Sequence, residues 1–166
     1  MKCASQTAAL LILIALPAMA QDIAFSPDAT LSCLEDRGGE DCIGLSAGAC
    51  TETPDGYTTV GMGFCFGRER DWWDARLNAV YQALRAADQA EDTEMKDIGA
   101  TVPEMAPALL DMQRAWIGYR DALCEYERTK WGGGTGQGPA TAACQMHETA
   151  RQTLLLEARL AEYEAR

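Results

Sequence analysis

The chain has a single histidine, and any acid–base, nucleophilic or zinc chemistry that needs an imidazole must use it. His147-Glu148 opens like a His-Glu-x-x-His zinc helix, but Arg151 stands where the second ligand belongs, so that metal site is incomplete. A Ser-His-Asp arrangement would also have to recruit His147, and no nucleophile elbow accompanies it. Carboxylate pairs are easy to find, as in Glu35-Asp36 or Glu125 with Glu127. Neighbours this close in sequence do not face each other across a substrate as glycosidase acids must. The run Trp131-Gly132-Gly133-Gly134-Thr135-Gly136-Gln137-Gly138 lacks the Lys-Ser/Thr that completes a phosphate loop. It also follows a helical rather than a strand-like segment, unlike a dinucleotide fingerprint. These residues point to a protein that is not an enzyme, with no cofactor and no metal.

Cysteine is the remaining reactive type. The chain opens with Lys2, an apolar run from Ala8 to Leu16, Pro17, and Ala18-Met19-Ala20 ahead of Gln21. This order reads as a secretory signal peptide, residues 1–20, cut after Ala20. The apolar run is too short to span a bilayer, and no later segment qualifies. Cleavage removes Cys3 and leaves Cys33, Cys42, Cys50, Cys65, Cys124 and Cys144. An even number in an exported chain, with no Cys-x-x-Cys pair for zinc, implies three disulfides and a periplasmic or secreted location. Six cysteines allow 15 pairings. The formal net charge is −11, and loss of Lys2 makes it one unit more negative. Such a surface repels nucleic acid and anionic lipid, and it steers cationic partners.

The elements that would position these groups divide into two regions. Residues 21–63 are rich in Gly, Ser, Thr and Pro, carry three cysteines and show no sustained period. They are expected to be an irregular segment held by disulfides, with at most a short strand at Tyr57-Thr58-Thr59-Val60. Residues 64–166 are helical. Trp73, Leu77, Val80, Tyr81 and Leu84 mark one face of a helix from about 66 to 90, followed by an acidic connector from Asp88 to Gly99. Thr101-Val102-Pro103-Glu104 has the form of a capping box, and Pro107, a turn later, marks a restart of the main helix. Leu109, Met112, Trp116, Tyr119, Leu123 and Tyr126 then recur at spacings of three and four, the pattern of a packing seam. Met146, Thr149, Thr153, Leu156, Leu160 and Tyr163 repeat it in a third helix from about 140 to 163. The expected fold is all-α, an antiparallel three-helix bundle with a disulfide-stapled irregular N-terminal segment.

In that bundle the glycine run is the tip of a helical hairpin, with Cys124 and Cys144 on facing helices about two turns below it, close enough to bond. The remaining pairs are expected to be Cys33 with Cys42 and Cys50 with Cys65. Trp116 and Tyr119 are assigned to core packing. Arg120 and Asp121 are expected to pair with other helices, Arg120 with Glu69 or Asp74.

Several pieces together resemble one family. They are Cys65-Phe66 followed by Glu69; Trp73-Asp74-x-x-Leu77-Asn78-x-x-Tyr81; Gln113-Arg114-Ala115-Trp116-x-x-Tyr119-Arg120-Asp121-x-x-Cys124; and Gly132-Gly133-Gly134 leading to Cys144-x4-Thr149-x-Arg151. This pattern is similar to the LprI-like lysozyme-inhibitor domain over about Cys65 to Leu160. The resemblance implies a helical, disulfide-bonded, non-catalytic protein that binds a cationic lysozyme at the bacterial envelope. An envelope scaffold of the same fold is the alternative, and the oligomeric state is left open. Exposure at the end of a stem makes Gly132, Gly133, Gly134, Thr135, Gly136, Gln137 and Gly138 the candidate contact.

Overall fold

The computed structural model describes residues 23–165, so the expected signal peptide lies outside the described residues. Among these residues all regular structure is helical: α1 (Asp28–Asp36), a 3₁₀ turn (Glu40–Cys42), α2 (Leu45–Thr51), α3 (Thr59–Asp97), α4 (Met105–Thr129) and α5 (Gln137–Glu164). The three long helices form the expected bundle, and α3 against α5 is its most extensive contact. No helix among the described residues is long and apolar enough to cross a membrane.

The spine is α3. Its buried stripe runs Gly61, Cys65, Glu69, Trp73, Leu77, Val80, Leu84, Asp88, Asp92, spacings of three and four that keep one face turned inward. The helix is longer than the expected 66–90 at both ends. At its start the Thr58 hydroxyl accepts from the Gly61 N–H at 2.9 Å, an N-cap, so Tyr57–Val60 forms a turn and first helical residues in place of a strand. At the other end the acidic connector is helical through Asp97. Asp88 accepts from the Tyr163 hydroxyl, and Asp92 accepts from the N–H groups of Met105 at 2.7 Å and Ala106 at 2.9 Å.

Those two bonds also explain where α4 begins. The Thr101–Glu104 capping box does not form; the helix starts at Met105 with no side-chain cap from Glu104, because Asp92 on α3 supplies the acceptor instead. Pro107 sits within the first turn, where its missing N–H costs nothing, so the helix is continuous. The packing face of α4 is rotated from the expected seam. Leu109 and Cys124 are buried, while Tyr119 and Tyr126 are 59% and 61% exposed. Gln113, Trp116 and Arg120 occupy the half-buried positions between them.

Apolar packing gathers in two places. Leu77, Val80, Leu84, Leu109 and Leu156 form the middle of the bundle, with Tyr81 and Trp116 against them. Ile43, Ala47, Cys50, Cys65, Trp73, Met146 and Ala150 form the other cluster, to which the N-terminal segment contributes. That segment contains α1, α2 and the 3₁₀ turn, elements too short to show a helical period in sequence. Thr30 and Ser46 bind them reciprocally, each N–H donating to the other's hydroxyl at 3.0 Å.

Candidate functional site

Among the described residues the three disulfides are Cys33–Cys42, Cys50–Cys65 and Cys124–Cys144, with Cα–Cα distances of 5.5, 5.7 and 5.4 Å. The pairing matches the expectation from sequence. Cys124–Cys144 fixes α4 to α5 just below the glycine run and sets the geometry of the tip.

The tip is a compact turn. Gly132 has φ +54°, in the left-handed region that favours glycine. Trp131 folds back over Gly136, where an added Cβ would lie 2.2 Å from the indole ring. Arg128 donates to the Gln137 side-chain oxygen at 2.8 Å, and the Gln137 amide donates to the Gly132 carbonyl. Because α5 starts at Gln137, Gln137 and Gly138 belong to the helix, and the exposed turn is Trp131–Thr135. Trp131 remains 56% exposed. It shares a groove of about 380 Å³ with Thr59, Met62, Phe66 and Pro139, which places the tip beside the first turns of α3.

The same end of the bundle holds Glu69, which is fully buried. Its Oε1 accepts from the Thr30 hydroxyl at 3.0 Å, the Gly44 N–H at 2.8 Å and the Trp73 indole N–H at 3.1 Å. Its Oε2 accepts from the Ala47 N–H at 2.6 Å. Four donors meet an acceptor-only group. Gly44 is the N-cap of α2 and has no side chain to cap it, so Glu69 caps that helix from α3. The N-terminal segment, joined to α3 through Cys50–Cys65, is thereby also held to it by this carboxylate.

The remaining motif residues separate into interior and surface. Trp73 and Leu77 are buried; Tyr81 and Trp116 pack against the central cluster. Gln113 accepts from the Gln152 amide at 2.9 Å. Asp74 accepts from the Asn78 amide at 3.0 Å on the exposed face. Arg120 does not reach Glu69 or Asp74. It bonds its neighbour Asp121 at 2.7 Å and lies 5.0 Å from the centre of the Trp116 ring. Glu69 faces α1 and α2 rather than α4, which removes the expected partner. Tyr119 projects outward instead of packing inside. Of the sequence's carboxylate pairs, Glu125 bonds Arg128 and Glu127 bonds Lys130, surface ion pairs along α4.

His147 stands beside Gly44, its Nε2 3.9 Å from where a Cβ would be. Partial burial, and then the nearby Arg151, lower its pKa from the ordinary 6.5, against the opposing pull of Glu69, Glu148 and Glu40. Arg151 is held by Glu40 at 3.0 Å and Glu148 at 3.1 Å.

The chain is 33% identical over 119 residues to an uncharacterized protein of Rhizobium meliloti (strain 1021), covering 70% of this chain and 86% of that one. It is 28% identical over 119 residues to an uncharacterized 17.7 kDa protein from the puhA 5′ region of Rhodobacter capsulatus, covering 70% and 73%. No solved structure matches the chain. The family model described as lysozyme inhibitor LprI matches residues 50–156, a span that includes the Cys50–Cys65 and Cys124–Cys144 disulfides, Glu69 and the glycine tip. The chain therefore belongs to the LprI lysozyme-inhibitor family.

Proposed function

We propose that this protein is a non-catalytic binder of a cationic lysozyme, working outside the cytoplasm in the periplasm or as a secreted protein. Membership of the LprI family over residues 50–156 carries this reading. The charge and the sulfur chemistry support it. Three disulfides suit an oxidising compartment, and a formal net charge of −11 favours encounter with a positively charged enzyme. The contact includes the exposed turn Trp131–Thr135 of the glycine tip, which a rigid, cross-linked stem presents to the enzyme. A stem fixed in advance reduces the entropy lost on binding.

The test is a turbidity assay of lysozyme on bacterial walls with purified mature protein over a salt series. Inhibition at low salt that fades as salt rises is the expected result, because steering between exposed charges is screened over a Debye length of about 10 Å at 0.1 M. Full lysozyme activity at low salt would refute the reading and favour an envelope scaffold of the same fold.

A further inference from the structure

The tip shares its end of the molecule with a second exposed feature that the fold does not use. Tyr57 and Val60 are 78% and 79% exposed, and Phe64, one turn further along the same side of α3, is 39% exposed. Large apolar side chains this open are costly as an adjacent group and mark contact surfaces. Their support is rigid. A Cβ on Gly56 would stand 2.0 Å from the Cys50 carbonyl oxygen, and one on Gly61 would stand 2.1 Å from the Asp55 carbonyl oxygen. The turn from Cys50 to Asp55 thus lies directly on the first turn of α3, in a contact only glycine permits.

Further bonds fix the corner. The Cys50–Cys65 disulfide ties its two ends. Thr53 donates to the Cys50 carbonyl at 2.8 Å and accepts from the Gly56 N–H at 3.1 Å, and the Tyr57 N–H donates to the Thr53 carbonyl at 2.9 Å. A tyrosine held outward on so constrained a backbone loses little freedom when a partner covers it, the property of an interface anchor.

The corner's charge selects the partner. From Asp28 to Asp55 the only base is Arg37, against the acids Asp28, Glu35, Asp36, Glu40, Asp41, Glu52 and Asp55. Glu40 is paired with Arg151. Glu52 and Asp55, in the turn that leads into Tyr57, have no ion-pair partner among the described residues. The nearest bases on the tip, Arg128 and Lys130, are already paired with Glu125 and Glu127. Two unpaired carboxylates in the turn beside the apolar anchor, with Arg68 a further turn beyond Phe64 as the one nearby base on that side of α3 without an ion-pair partner among the described residues, leave the corner net negative and complementary to a cationic protein surface.

We infer that the partner-facing surface is a composite of Tyr57 and Val60, with Glu52 and Asp55 beside them, and the neighbouring Trp131 of the tip, and that its occupant is a basic patch on the lysozyme. This rests on the reading of the protein as a lysozyme binder and says which surface does the binding.

The experiment is calorimetric titration of an animal-type cationic lysozyme into the mature, disulfide-intact protein. Tyr57→Ser combined with Val60→Ser should weaken binding about 30-fold or more, the effect of losing an interface anchor, while Tyr57→Phe stays near wild type. Ile98→Ser, at the opposite end of the bundle and 70% exposed, should leave affinity unchanged. In stopped-flow mixing of the same pair, Glu52→Gln with Asp55→Asn should slow association at low salt and have little effect at high salt. Circular dichroism verifies that each variant stays helical. If wild type binds and the Tyr57/Val60 variant binds equally well, the surface lies elsewhere and the proposed function stands. If wild type itself does not bind at low salt, both fall.

Discussion

Glu69→Gln is the sharpest single-atom test of how the N-terminal segment is held. The substitution keeps the size and shape of the side chain and exchanges one oxygen for an NH₂ group. In its best orientation the remaining oxygen keeps Thr30, Gly44 and Trp73, and the new amide faces the Ala47 N–H, which now donates to Oε2 at 2.6 Å. Two buried donors then confront each other. An unsatisfied buried donor costs about 1–3 kcal/mol, so the pair costs about 2–6 kcal/mol, a large share of the roughly 5–15 kcal/mol that stabilises a typical domain. Urea unfolding followed by tryptophan fluorescence and far-UV circular dichroism measures the loss. Hydrogen exchange localises it: the Gly44 and Ala47 amides should lose protection before those in the middle of α3. A change below about 0.5 kcal/mol, with both amides still protected, would refute the argument that this carboxylate fastens α2 to the spine.

Two further outcomes follow from the geometry. Gly136→Leu should displace the Trp131 ring, 2.2 Å from the new Cβ, costing about 1–3 kcal/mol as an overpacked contact; Gly133→Ala, with open space around it, should be near neutral, and thermal melts of the two compare them directly. Acid should weaken the fold in two steps with the same sign. His147 has a lowered pKa, from burial first and Arg151 second, so the unfolded chain binds its proton more readily and stability falls as pH drops below about 6.5. Asp92 is also lowered, by the Met105 and Ala106 N–H groups; its contribution is present above the unfolded value of 3.8 and is lost as pH falls through the lower folded value. Melts at successive pH values test both, and His147→Gln should flatten the upper step alone.

The sequence displayed α3 and α5 clearly because their inward positions are mostly apolar: Trp73, Leu77, Val80 and Leu84 on one, Met146 and Leu156 on the other. It assigned the wrong inward face to α4 for the opposite reason. Hydropathy assigns a helix face by counting apolar residues, and here Gln113 and Arg120 turn inward with partners of their own. Tyr119 and Tyr126 keep their hydroxyl ends in water. The Cys124–Cys144 pair was legible from hairpin geometry alone, because a short link forces its flanking helices to lie side by side.

What could not be read locally was the second use of α3. Glu69 and Asp92 lie on its buried stripe, and in a helical pattern a carboxylate there reads as a break in the core. In the structure each of these acids faces the open N–H groups of another helix, α2 in one case and α4 in the other. Those N-termini carry partial positive charge and lack acceptors of their own, a need visible only after the chain has folded back. Gly44 and Glu104 provide no side-chain cap, so the two deficits and the two misplaced acids account for each other. The spine thus fixes the stapled segment at one end and the start of the α4–α5 hairpin at the other. Disturbing Glu69 should therefore loosen the Tyr57 corner while leaving the Asp92 end intact, and binding and stability should fall together at that end alone.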